Sequence, residues 1–365
     1  MSDQALIAGP YTHENNSISN TMQLVMLALL PATLLGFYLF GWPAIYLFAI
    51  TIASAMLAEY LSLKVAGKPV QTFMSDGSAI LTGWLLAMTL PPWAPWWIGV
   101  VGAFLAIVIG KQVFGGLGQN LFNPAMVARV ALLISFPLEM TTFTAPSPLF
   151  SGAAPDLLQS LSITFGFTPE FDAISTATPL GHIKTELSTG KTLSEAMQGV
   201  ESLLQISLGQ SSGSLGETSA LFILLGGLFL LYKRVISWHI PVSILATLAL
   251  LSGVFHLLNP QLYPGPLTHL MSGAAMLGAF FIATDLVTSP VSIRGQLLFG
   301  AGCGLFVYVI RTWAGYPEGV AFAVMLMNAC TPLIDHYLKP RIYGRDRKGE
   351  PINYTAAKSE EENAS

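Results

Sequence analysis

Ten stretches of mostly apolar residues, most of them about as long as a bilayer is thick, run through this sequence. They lie roughly at 22–41, 43–63, 78–91, 95–112, 121–138, 217–235, 238–258, 267–286, 297–315 and 317–337. A helix needs about 20 residues to cross the hydrocarbon core, fewer where it is broken or buried in protein. No water is available there, so each backbone N–H and C=O must be bonded inside the protein. Composition agrees: 53% of residues are hydrophobic and 10% charged, where a soluble domain carries roughly 25% charged. The expected fold is an all-α polytopic membrane protein with about ten transmembrane helices. The third and fifth segments are short, and the fifth carries Asn123-Pro124 and Arg129, so its helical ladder should be interrupted.

Lys and Arg in the loops set the orientation. With the N-terminus inside, Lys64, Lys68, Lys111, Lys233, Arg234, Arg294 and six cations of the tail fall inside. Lys184, Lys191 and Arg311 fall outside. The chain then divides into a cytoplasmic segment 1–21, five spans over 22–138, an outside loop 139–216, five more spans over 217–338 and a charged tail 339–365. The tail ends "KSEEENAS" and is expected to be disordered. The first 20 residues are polar without a basic n-region, so no cleavable signal peptide is expected. A net charge of −4 offers no basic face for nucleic acid.

The two halves resemble each other. "DGSAILTGWLLAMTLPP" near 76–92 and "MSGAAMLGAFFIATDLVTSP" near 271–290 both run from small residues through a short apolar segment to proline. Lys111 and Arg311 follow about twenty residues later, then "LFNPAM" at 121–126 and "LMNACTPL" at 326–333. Five spans is an odd number, so the second half would enter the membrane inverted. In inverted-repeat folds the interrupted segments meet near the midplane and build a site or path there.

Charges inside a membrane are costly and mark polar interiors. Asp76, Asp285 and Arg129 are the candidates for an internal ion path. Lys111, Arg311 and Asp335 lie near span ends, where snorkelling to water is expected. Cys303 and Cys330 have no C-x-x-C or ligand spacing and read as buried thiols. The histidines form no i,i+4 pair, so no metal site is expected. P-loop, G-x-G-x-x-G and H-E-x-x-H motifs are all missing from the sequence, so nothing points to a soluble catalytic domain.

One run in the long loop stands apart: "DAISTATPL", Asp172 to Leu180. Pro179 should push Thr178 into an extended backbone. Asp172, Ser175 and Thr176 favour turns through local hydrogen bonds. On those grounds the run is a solvated turn that exposes a threonine hydroxyl. The spacing Asp172, Ser175, Thr176, Ala177, Thr178 resembles the acceptor motif of bacterial flavin transferases, which attach FMN through its phosphate to a threonine. With the ten spans and the run "GAFFIATDLVTSPVSIRGQLLFGAGCGLFVYVIRTWAGYPEGVAFAVMLMNACTPLID", it resembles the D subunits of Rnf electron transport complexes. The B subunit of the sodium-translocating NADH:quinone reductase is their sister. The resemblance covers about residues 20–343.

The resemblance implies an ion-pumping complex passing electrons between NADH and ferredoxin, in a bacterial inner membrane. Thr178 would carry FMN on the periplasmic side, with Asp172, Ser175 and Ala177 as the attachment motif. Thr176 stands where Gly is usual and leaves a second hydroxyl two residues away. Partners would be the A, B, C, E and G subunits, a flavin transferase and membrane lipid. The sister protein admits a second, non-covalent flavin, riboflavin, with no residue here to place it. A ten-span passive channel of the urea or ammonium kind, without redox role, is the competing expectation.

Overall fold

The computed structural model describes residues 17–152, 154–166, 175–316, 318–340 and 344–345. It opens with α1, Ile18–Val65, whose first turn is capped by the Ser17 hydroxyl accepting the Asn20 N–H at 3.1 Å. A straight helix of its 48 residues would be about 72 Å long, more than twice the hydrocarbon core. It is not straight. At Gly41 φ is 73°, a conformation glycine adopts without a Cβ penalty. The rings of Phe37 and Phe48 lie 5.0 Å apart, where a straight helix would separate them by about 16 Å. The chain therefore folds back at Gly41, and each arm (18–40 and 42–65) is long enough to cross a bilayer. Trp84 closes the hairpin: its indole N–H donates to Thr33 Oγ1 at 2.9 Å, and its ring meets Phe48 edge-on at 5.2 Å.

Next come α2, Val70–Met74, and α3, Ser78–Thr89, separated by Gly77 at φ 79°. Helix α4, Trp96–Phe104, runs on as a π-helix over Leu105–Ile109. The Asn123 side chain accepts the Ala125 and Met126 N–H groups at 3.1 and 3.3 Å and caps α5, Pro124–Ser135. Pro124 sits at the first position, where no N–H is needed. Helix α6 is Pro137–Thr141.

The long connection is structured where it is described. It holds β1, Phe143–Thr144; α7, Leu157–Phe165; β2, Ser175–Thr176; α8, Pro179–Ser188; α9, Leu193–Ala196; and α10, Leu203–Ser207. Strands β1 and β2 pair antiparallel, Phe143 opposite Thr176 and Thr144 opposite Ser175. This ladder is a small addition to the expected all-α fold.

The end of the connection departs from a plain surface loop. Ser211, Ser212, Ser214, Leu215, Glu217, Thr218 and Ser219 are all buried, and their backbone is not helical. Gly216 donates its N–H to the Met88 carbonyl at 2.6 Å. A Cβ there would lie 2.5 Å from Leu277 Cδ2 and 2.9 Å from the Met88 oxygen, so only glycine fits without a shift. Irregular backbone is tolerated at membrane depth when protein encloses it in this way.

The remaining helices are α11, Ala220–Tyr232; α12, His239–Leu258; α13, Pro266–Met271; α14, Ala275–Leu277, continued by a π-helix over Gly278–Ile282; α15, Ile293–Trp313; and α16, Val320–Tyr337. The continuous span expected over 267–286 is broken at Ser272 and Gly273, where φ is 67°. Gly77 before α3 and Gly273 before α14 are thus similar breaks, each followed by a short apolar segment. Four helical stretches (α1, Trp96–Phe114, α12 and α15) are long and apolar enough to cross a membrane, and α3, α5 and α11 are shorter apolar helices. The chain is a multi-pass membrane protein. Cys303 is buried as expected, whereas Cys330 is exposed on α16, a face that apolar composition alone does not place.

Candidate functional sites at the two ends of α5

Two cavities share α5: residues 123–125 line one, and Arg129 and Leu133 line the other, about 6–15 Å along the helix. The first is lined by Arg129 and Leu133 from α5, by Thr178 and Leu180, by Glu217 of the buried loop, and by Gly273, Tyr316 and Glu318. It encloses about 700 Å³, part of it open to solvent. Met140, Phe143, Ile206 and Phe322 add apolar wall.

Thr178 is placed here by its own sequence. Its φ of −64° and ψ of 155° are the extended backbone that Pro179 imposes. It is the N-cap of α8, its Oγ1 accepting the Gly181 N–H at 3.2 Å. Ser175 and Thr176 sit in the β2 ladder rather than the expected turn, because Phe143 and Thr144 offer backbone partners. Ala177 is exposed, and Asp172 lies outside the described residues.

Helix α8 is fastened by Lys184. Its ammonium donates to the carbonyls of Arg311 at 2.9 Å, Tyr316 at 3.1 Å, Ile310 at 3.4 Å and Ala314. These carbonyls cluster at the C-terminal end of α15, where orphan acceptors and the helix dipole favour a cation. Burial pulls the Lys184 pKa below the ordinary lysine value, and the four acceptors oppose that pull.

Arg129 is 7% exposed. Among the described residues, its hydrogen-bond contact is to Met140 Sδ at 3.9 Å. Arg311 is also buried, at 5% exposed, so the expected snorkelling does not occur. Instead it pairs with Glu318 at 2.9 Å and donates to the His269 and Ser272 carbonyls at 2.6 and 3.2 Å. Glu318 also accepts the Ala274 N–H at 3.3 Å. Arg311 and Glu318 therefore staple the break at Gly273, satisfying backbone groups that the missing helical turn leaves free.

The second cavity, about 850 Å³ and partly open, is lined by Ser78, Lys111, Asn120, Asn123, Thr284 and Asp285, with Phe280 and Phe281. Lys111 does not snorkel either: it is 2% exposed and donates to Glu59 Oε1 at 2.9 Å and Ser78 Oγ at 2.7 Å. Ser78 in turn donates its hydroxyl to Asp76 Oδ1 at 2.6 Å, and its N–H reaches the same oxygen at 2.7 Å. The result is a continuous chain, Glu59–Lys111–Ser78–Asp76, across the start of α3. Asp285 accepts the Val287 N–H and the Thr288 hydroxyl, both at 3.2 Å. Asn123 Nδ2 donates to the Ile282 carbonyl at 3.4 Å, joining the start of α5 to the end of the second π-helix. Asp335 accepts the Val291 N–H at 3.1 Å and is a loop staple.

The proposed ion-path trio is thus divided. Asp285 lines the second cavity, Asp76 reaches it through Ser78, and Arg129 belongs to the first. Glu59, Lys184, Glu217 and Glu318 were not singled out from sequence. A glutamate at 59, inside an apolar run, carried a readable signal of its own.

The description "NQR2, RnfD, RnfE family" matches residues 5–344. The chain belongs to this family. It is 52% identical over 348 residues to the D subunit of the ion-translocating oxidoreductase complex of Halorhodospira halophila, covering 95% of this chain and 98% of that one. The corresponding protein of Stutzerimonas stutzeri is 55% identical over 337 residues, 92% and 95% of the two chains. That of Rhodobacter capsulatus is 53% identical over 304 residues, 83% and 84% of the two chains. This NQR2, RnfD, RnfE family membership does not favour the passive-channel expectation.

Proposed function

We propose that this chain is the D subunit of an Rnf complex, an ion-translocating oxidoreductase working between NADH and ferredoxin. In this reading Thr178 carries FMN as a phosphodiester and the protein relays electrons; it is inert alone. The A, B, C, E and G subunits are its partners, and a flavin transferase reads Asp172, Ser175 and Ala177. The complex lies in a bacterial inner membrane, with both termini cytoplasmic and the 139–216 loop periplasmic. Riboflavin, held non-covalently, is a second flavin of the same reading.

The observation that carries this proposal is the position of Thr178: a helix-capping hydroxyl on the rim of an apolar-walled cavity that holds a buried guanidinium. The residues suit the group. The α8 N-terminus and Arg129 favour a phosphate or another anion. Leu133, Met140, Phe143, Ile206 and Phe322 suit a flat apolar ring. FMN supplies an isoalloxazine ring that takes up and gives out electrons, singly or in pairs. The chain's residues hold that group in place: α8 fixes Thr178, Lys184 pins α8 to α15, and the wall side chains keep water out.

Two inverted five-span repeats underlie this arrangement. The breaks at Gly77 and Gly273, the buried cations Lys111 and Arg311 beside them, and the two π-helices support that reading. The ion path runs through the second cavity, with Asp285, Asp76, Glu59 and Lys111 as its polar groups. Asp285→Ala or Asp76→Ala that left ion transport and its coupling intact would remove them from it.

The deciding experiment is in-gel fluorescence of denatured protein made in cells with an active flavin transferase. The wild type should give a yellow fluorescent band, and Thr178→Ala a dark one. A fluorescent Thr178→Ala band would move the attachment to Thr176 or elsewhere, and a dark wild type would refute the flavin reading.

A further inference from the structure

Arg129 is 7% exposed and lines the same cavity as Thr178. A guanidinium withdrawn from water must be offset by acceptors, or it destabilises the fold by several kcal/mol. Among the described residues the ion pairs are Lys111–Glu59, Lys191–Glu186 and Arg311–Glu318, and Arg129 is in none. Its sulfur contact with Met140 is a weak acceptor. The two carboxylates of the same cavity are engaged elsewhere: Glu318 by Arg311 and the Ala274 N–H, Glu217 by Ser214. They act on Arg129 only through space. Arg129 also lies deeper than Thr178, which is half-buried at the rim.

We infer that Arg129 sets the redox potential of the flavin carried by Thr178, its fixed positive charge favouring the reduced, more electron-rich form of the ring. This rests on the reading of Thr178 given above. Reduction adds electrons to a ring system; a nearby cation in a low-dielectric cavity stabilises the added charge and shifts the midpoint upward. The phosphodiester is an unsuited sole partner, because it is formed at Thr178 itself, where the α8 N-terminus already serves it. Arg129 is therefore a tuning residue, lining the first cavity and not the second, which Asp285 lines and Asp76 reaches through Ser78.

The test is a spectroelectrochemical titration of the assembled complex in detergent, with the Thr178→Ala complex subtracted to isolate this flavin. Arg129→Met should shift the midpoint negative by at least a tenfold change in the reduction equilibrium, about 59 mV for a one-electron couple. Arg129→Lys, which keeps the charge, should stay near wild type. Denaturing-gel fluorescence run alongside reports loading. A fluorescent Arg129→Met band with an unshifted midpoint overturns the inference and leaves the Thr178 reading intact. A dark wild-type band overturns both. If Arg129→Met does not assemble, Arg129→Gln, which also removes the charge, decides, and an unshifted midpoint there overturns the inference.

Discussion

Lys111→Met should destabilise the protein by about 3–5 kcal/mol, the usual cost of removing one partner from a buried ion pair. Both side chains of the Lys111–Glu59 pair are 2% exposed, so neither finds bulk water when the other is lost. The structure places the effect towards the lower end of that range. Glu59 Oε1 keeps the Gln112 side-chain N–H at 2.7 Å, but Glu59 Oε2 has no partner among the described residues. An unmet charged acceptor accounts for about 1.5–3 kcal/mol of the loss. Guanidinium unfolding in detergent micelles, followed by tryptophan fluorescence, measures it. Lys111→Met/Glu59→Leu should recover much of the loss, since an apolar pair of similar volume is often neutral in place of a buried ion pair. A deficit below about 1 kcal/mol at neutral pH, or a double mutant equal to the sum of the singles, would refute this account of the pair.

Lys184→Met should leave the membrane helices folded yet speed amide exchange across α8 and the end of α15; unchanged exchange would show that the four-carbonyl clamp does not hold α8. Gly216→Ala should cost about 1–3 kcal/mol, since its Cβ must displace Leu277 or the Met88 carbonyl; a neutral effect in the same unfolding titration would show that the buried loop adapts. The Thr192 N–H and hydroxyl hold the Glu195 carboxyl below the usual carboxylate range, so the cap of α9 is fully made above that range and lost as pH falls through the folded value. The protection factors over 192–196, with the intrinsic pH dependence of exchange divided out, should fall only in acid, and Glu195→Gln should abolish that fall.

Much of the scaffold can be read from local pattern. The gap between the apolar runs 22–41 and 43–63 falls at Gly41, where the backbone turns. The short segments at 78–91 and 121–138 are short helices, and Asn123-Pro124 interrupts the second by capping it. Local pattern also places Thr178, because Pro179 dictates the backbone and a threonine before a helix is a natural cap. What stays hidden depends on partners far along the chain. Lys111 and Arg311 look like end-of-span residues until Glu59 and Glu318 are folded against them. Lys184 counts as one more loop cation until α15 ends beside it. The stretch "SSGSLGETS" reads as surface loop by composition, and only Met88 and Leu277 make it interior. A polar residue's role in such a fold is set by whether a partner is brought to it, and that information lies in tertiary contacts.

The two cavities are linked by covalent chain as well as by α5. Gly273 lines the first and Asp285 the second, so the broken segment between them runs from one to the other. Its near end is held by Arg311 and Glu318, and its far end by Asn123 on the Ile282 carbonyl. Arg311 also contributes one of the carbonyls that hold Lys184, and through it α8 and Thr178. One residue thus meets α8 through its backbone and the break of the membrane segment through its side chain. A shift of α8 cannot occur without loading the end of α15, and the end of α15 cannot move without pulling on the Gly273 break. If electron transfer at Thr178 drives ion movement past Asp285, Arg311 is where the two are mechanically joined: Arg311→Lys, keeping the charge but losing the fork that spans Glu318 and two carbonyls, should lower ions moved per electron more than electron transfer itself. Equal loss of both, or of neither, would place the coupling elsewhere.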